Sequence, residues 1–198
     1  MQTDVVGLLV ANLIFSLRIA PLVVLVATIL RTILLLTGRR RTFVSWTRNA
    51  LLSAVTIIFA PGMIINTGLR YAVCSLCGID LEGVGGGSTY AELNLFITVD
   101  RPPRVSVLVG ALFFSTVLSV FVGFALLVMP IVFLLGAPVV LLSWYVALGV
   151  LFNTSIRGGD VSLLSAALKG SPRQGAVEFI IVMALLALFY TQVVGVVI

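Results

Sequence analysis

The stretch from Val105 through Phe152 carries no charged side chain. One bilayer crossing takes roughly 20 apolar residues, so this stretch is too long for one span and fits two. The turn between them falls near Met129–Pro138, where Pro130, Gly136 and Pro138 interrupt a helix. The rest of the chain repeats the pattern. Of 198 residues, 61% are hydrophobic and 10% charged, whereas a soluble domain carries about 25% charged residues. So large an apolar surplus belongs in lipid, and four to six spans fill the length, leaving no room for a separate soluble domain. The expected fold is all-α: a polytopic transmembrane helical bundle of about five spans, one integral membrane domain over residues 1–198. The spans are expected near 5–36, 51–79, 105–128, 137–153 and 175–197.

The first residues do not read as a cleavable signal peptide, because Asp4 stands where a positive region belongs. The apolar stretch after it holds Arg18 and Pro21. It is either one long tilted helix kinked at Pro21 or an interfacial segment before a span starting near Ala20. Arg31 lies near the end of this stretch, where a long side chain can snorkel to the interface. The densest positive cluster follows, Arg39, Arg40, Arg41 and Arg48. These residues are expected to be cytoplasmic and to contact headgroups, with the N-terminus outside. Gly85-Gly86-Gly87 reads as a flexible loop. In residues 93–99, Leu93, Leu95, Ile97 and Val99 alternate with polar or aromatic residues, which predicts a short strand or hairpin within 80–104, an irregular loop being the alternative. The acidic 80–104 segment is expected outside, and 153–173 reads as a polar loop. That loop's Arg157, Lys169 and Arg173 conflict with an outside location, and a re-entrant hairpin within the 105–152 stretch would put the loop inside instead.

The chain contains no histidine. Cys74 and Cys77 form a Cys-x-x-Cys pair, but a structural zinc site needs four Cys or His ligands and no others exist here. The pair reads as two small side chains on an apolar helix. The Gly83–Gly87 run lacks the Lys-Ser or Lys-Thr of a phosphate loop. No His can act as base for a serine nucleophile, and no Ser-x-x-Lys surrounds Lys169, the one lysine. The remaining candidates are ionisable residues inside apolar stretches, which are costly in lipid. They are Arg18, Arg70 and Glu178, together with Asp160 just past the fourth expected span. For Arg18 and Glu178 an interfacial side chain reaching water is the simpler reading.

The run Phe59-Ala60-Pro61-Gly62-Met63-Ile64-Ile65-Asn66-Thr67-Gly68-Leu69-Arg70-Tyr71-Ala72-Val73, continuing to Leu76-Cys77-Gly78-Ile79, resembles the first motif helix of the intramembrane zinc metalloproteases, the site-two protease group. Gly158-Gly159-Asp160-Val161 is similar to the segment that carries the family's third metal ligand. The resemblance covers roughly residues 55–165 and implies a helical membrane core. It also implies that Asn66 stands at the first His of His-Glu-x-x-His, Thr67 at the catalytic Glu and Arg70 at the second His. Catalytic zinc needs about three protein ligands and a base. One carboxylate beside a fixed cation cannot supply them. The implied chain is therefore catalytically inactive and without a cofactor. Arg70 and Asp160 are expected to pair where the metal would sit, with Asn66 adding a hydrogen bond.

The expected role is a scaffold or assembly subunit that binds other membrane proteins or lipids, or forms a homo-oligomer, with no nucleic acid as partner. Small residues such as Gly110, Gly123 and Gly136 permit close helix packing. A transporter or channel component is the alternative, with helices broken at Pro21, Pro61-Gly62 and Pro130. A third reading is an intramembrane protease whose metal ligands come from a partner.

Overall fold

The computed structural model describes residues 5–38, 40–43, 46–89, 92–99, 101, 103–193 and 195. The helices are α1 (Val5–Thr37), α2 (Ala50–Ile58), α3 (Ala60–Leu76), α4 (Val105–Val132), α5 (Ala137–Phe152), α6 (Gly158–Gly170) and α7 (Pro172–Leu188), the last extended by a π-helical turn, Phe189–Val193. Strands β1 (Arg40–Phe43) and β2 (Trp46–Asn49) pair antiparallel, as do β3 (Leu81–Thr89) and β4 (Glu92–Val99). The fold is all-α in its helices, with two small antiparallel sheets beside them.

Helix α4 is the centre of the bundle, touching α1, α3, α5, α6 and α7. Apolar residues on every side suit a helix surrounded by other helices and lipid. Against it, α1 buries a stripe of mostly small side chains, Ser16, Ala20 and Ala27, which lets the two backbones approach closely. Ala20 packs on Val117 and Val120, and Asn12 Nδ2 donates to the Phe121 carbonyl at 3.2 Å. Helix α1 is continuous through Pro21, as the single-helix reading anticipated. Helix α5 returns along α4: Ser143 Oγ donates to the Leu126 carbonyl and Trp144 Nε1 to that of Leu127. The α3–α5 crossing is closer still. A Cβ at Gly62 would lie 2.1 Å from the carbonyl carbon of Gly149, so backbone meets backbone there.

Several expectations change. Residues 51–79 are not one helix: α2 and α3 meet at Phe59 with a bend of 80°. Pro61 in the first turn of α3 starts the new helix, since its missing N–H costs nothing there. Three helices are long and apolar enough to cross a membrane, α1, α4 and residues 172–192, or four if the bent pair is one span. The fourth expected span, α5, has only 16 residues, about 24 Å at 1.5 Å per residue. Residues 158–170, expected within a polar loop, form α6, whose Ala167 packs on Val105 and Leu108.

The glycine run 85–87 is not a free loop but the middle of β3, opposite Phe96, Leu95 and Asn94. Ladder hydrogen bonds come from the backbone, so strand pairing does not need the missing side chains. Most consequentially, β2 lies against both β3 and β4. The basic 40–49 segment and the 81–99 segment therefore sit at one end of the bundle rather than at opposite ends. Asn49 joins that end to the helices. Its Oδ1 accepts from the Leu52 N–H at the start of α2, and its Nδ2 donates to the Leu35 carbonyl at the end of α1 at 2.9 Å.

Candidate functional site

Asp160 is the third residue of α6, and its Oδ2 accepts the Arg157 backbone N–H at 3.0 Å. A carboxylate in the first turn satisfies a donor that the helix cannot and faces the positive end of its dipole. The same carboxylate meets Arg70 of α3 as a two-pronged pair, Nη1 to Oδ1 at 2.7 Å and Nη2 to Oδ2 at 3.2 Å. Their side chains are 12% and 16% exposed. At that burial the pair is not a solvent-screened surface contact, and losing either partner leaves a charge that water cannot rescue. Both carboxylate oxygens are engaged, so Asp160 is not poised as a general base.

Asn66 departs from its expected place. It is 1% exposed and does not bond the Arg70–Asp160 pair. Its Nδ2 instead donates to Ser119 Oγ on α4 at 3.1 Å, and Ser119 Oγ donates to the Ser115 carbonyl at 2.8 Å. Asn66 and Arg70 lie one turn apart on the same helix face, about 6 Å along its axis. That turn is enough to aim the two side chains at different helices. Thr67, at 4% exposure, keeps a buried Oγ1 without a hydrogen-bond partner among the described residues.

Two further arginines converge on the break between α5 and α6. Arg157, 5% exposed, donates through Nη2 to Asn153 Oδ1 at 3.1 Å, to the Asn153 carbonyl at 3.3 Å and to Asn66 Oδ1 at 3.5 Å. Arg31 was expected at the interface. It is 4% exposed, donates from Nη1 to Ser155 Oγ at 2.7 Å and lies 5.8 Å from the centre of the Phe152 ring. Thr28 on α1 accepts the Ile156 N–H at 3.0 Å. Residues 153–157 thus have polar ties to α1 and α3, with α4 reached through Asn66.

Beside this junction a cavity of about 690 Å³ opens between α1, α4, α6 and α7. Its wall is largely apolar, from Leu25, Leu112, Phe113, Leu164 and Phe179, with Arg70 and Asp160 on one side. Among the described residues, no three of Cys, Asp and Glu come together as metal ligands. Cys74 is half-buried, Cys77 exposed, and both are free thiols. No family model, curated protein or solved structure matches the chain.

The other singled-out residues lie apart from the junction. Arg18 is exposed on α1. Arg40 and Arg41 lie on β1 and Arg48 on β2, and Arg39 is outside the described residues. Glu178 on α7 is not simply interfacial. Its Oε2 accepts both the N–H and the Oγ–H of Ser106 at 3.1 Å, closing the first turn of α4 from a neighbouring helix. Removing such a cap costs about 1 kcal/mol. Glu178→Ala is expected to lower the apparent unfolding midpoint in mild detergent by that amount, and Glu178→Gln, which keeps an acceptor, by less.

From sequence, Arg157 reads only as a loop charge and Ser119 is passed over. The Arg157-Gly-Gly-Asp160 spacing, an acid three residues after a helix start, was the available signal for α6. Nothing local marks Ser119, because its partner is 53 residues away.

Proposed function

We propose that this chain is a catalytically inactive membrane scaffold with a site-two-protease-like core, which holds other membrane proteins or lipids. One observation carries the reading: Arg70 and Asp160 pair at the two positions where the resemblance would put metal ligands. A cation fixed at 2.7 Å from the one carboxylate would repel a divalent ion and holds the oxygens such an ion would need. With no histidine in the chain, hydrolysis through zinc would need ligands from elsewhere. In this reading α3 and α6 are tied by a charge-assisted contact rather than by a metal, and the core serves as a rigid platform. The basic 39–48 segment is on the cytoplasmic side and the N-terminus outside.

A second reading, a transporter or channel component, draws on the two interrupted helices: the bend at Phe59 and the break between α5 and α6. Backbone interrupted at membrane depth is found where it lines a site or cavity.

The test is gentle purification from the native membrane, with identification of what travels at fixed stoichiometry and a metal assay on the same sample. A stoichiometric membrane-protein or lipid partner without zinc is the expected result. Stoichiometric zinc would overturn it in favour of a shared protease site. Solute flux in proteoliposomes from the chain alone would favour transport.

A further inference from the structure

We infer that α2–α3 enters and leaves the bilayer on the same side, and that every juxtamembrane basic residue consequently stands on one face, against an anionic leaflet. Contacts along α4 and α5 supply the depth scale. Helix α2 starts at Asn49, hydrogen-bonded to the last turn of α1. It ends at Ile58, whose carbonyl accepts from Tyr145 of α5. Helix α3 then climbs back: Gly62 meets Gly149, Asn66 meets Ser119, and Val73 meets Ala111. Ile79, Leu81 and Val99 pack in that last cluster, and β4 runs on to the start of α4. The chain has gone in by one short helix and out by another.

Helices α5 and α6 behave as one crossing interrupted midway. Leu151 lies over Gly123, Arg157 connects through Asn66 to Ser119, and Ala167 packs on Val105 and Leu108. The order runs steadily down α4 towards its first residue. Ser119 is near the middle of that 28-residue helix, so the break falls at about half its depth. Gly175 at the start of α7 touches Val105, and α7 sets out from the same end. The crossings are thus α1, α4, α5–α6 and α7, four in number, with α2–α3 re-entrant.

Charge supplies an independent argument. The starting end of α4 gathers Arg40, Arg41 and Arg48 from the first sheet, Arg101 and Arg104 before α4, and Lys169 and Arg173 about the α6–α7 turn. At the other end, the turn of residues 133–136 is uncharged, and the helical stretches 5–17 and 186–193 contain no Lys or Arg. Positive residues mark the cytoplasmic side of a membrane protein and attract its anionic leaflet. The two-sided reading left Arg157, Lys169 and Arg173 unexplained. The one-sided reading removes that conflict, because Arg157 is buried at the break and the other two join the basic face.

The test uses single cysteines in a Cys74→Ser/Cys77→Ser background: Arg48→Cys, Glu82→Cys, Arg173→Cys and Leu134→Cys. A membrane-impermeant maleimide is applied to sealed vesicles of each orientation, and labelling is normalised to the detergent-opened sample. The first three are expected to label from the cytoplasmic side and Leu134→Cys from the opposite side. Labelling of Arg48→Cys and Glu82→Cys from opposite sides would overturn the re-entrant hairpin. A second arm reads the leaflet contact. Phosphatidylglycerol is expected to raise the unfolding temperature of the detergent-purified protein more than phosphatidylcholine does. Arg40→Gln/Arg41→Gln/Arg48→Gln is expected to shrink that difference. Equal effects of the two lipids on the unsubstituted protein would overturn the leaflet contact.

Discussion

Arg70→Ala is expected to lower the stability of the detergent-solubilised protein by about 3–5 kcal/mol, and Asp160→Ala by a similar amount. The size follows from what each change leaves behind. Without Arg70, Asp160 keeps the Arg157 N–H at 3.0 Å but loses both guanidinium bonds, at 2.7 and 3.2 Å. Without Asp160, a guanidinium at 12% exposure faces a largely apolar cavity. The α6 end also loses its first-turn carboxylate, so Asp160→Asn should cost less than Asp160→Ala, restoring some of the cap but not the charge. The readout is the unfolding midpoint by tryptophan fluorescence. Effects below about 1 kcal/mol, the range of screened surface pairs, would mean that the pair is wetter and looser than described.

Gly62→Ala is expected to be nearly as costly, about 3 kcal/mol, at the upper end of what one added methyl does in a packed interior. The new Cβ would sit 2.1 Å from the Gly149 carbonyl carbon and 2.4 Å from the Val150 nitrogen. Backbone atoms cannot rotate away, so α3 and α5 must separate. That movement also strains the Tyr145 hydrogen bond to Ile58 and the neighbouring Phe59–Phe152 ring contact, at 6.0 Å. Gly68→Ala on the same helix is the control. Nothing lies within 4 Å of its Cβ position, and alanine is the better helix former by about 1 kcal/mol. Gly68→Ala should therefore hold or gain stability while Gly62→Ala loses it. Equal losses would mean that the α3–α5 crossing is not tight.

The contrast between Arg70 and Asn66 shows what the sequence could and could not convey. Opposite charges inside apolar stretches must find each other or a comparable partner, because lipid gives them no alternative. The resemblance set Arg70 and Asp160 at two corresponding ligand positions, and their opposite charges then made them legible as a pair across 90 positions. Asn66 is neutral and had many acceptable partners, and its choice of Ser119 depends on a helix crossing that no local pattern encodes. The long apolar helices α1 and α4 were legible from hydropathy. The bend at Phe59 was only half legible, since Pro61-Gly62 marks a break but not its angle. Helix α6 was hidden by its polar start, and the glycines of β3 concealed a strand held by backbone alone. The side on which each loop falls could not be read while α2–α3 counted as a crossing.

The measurement closest to the central claim is the coupling energy between residues 70 and 160, from a double-mutant cycle of Arg70→Ala, Asp160→Ala and the combined variant under one detergent condition. If α3 and α6 are joined by this ion pair, the combined loss falls well short of the sum of the single losses, with a coupling of about 2–3 kcal/mol. Additive losses, with coupling near zero, would contradict it.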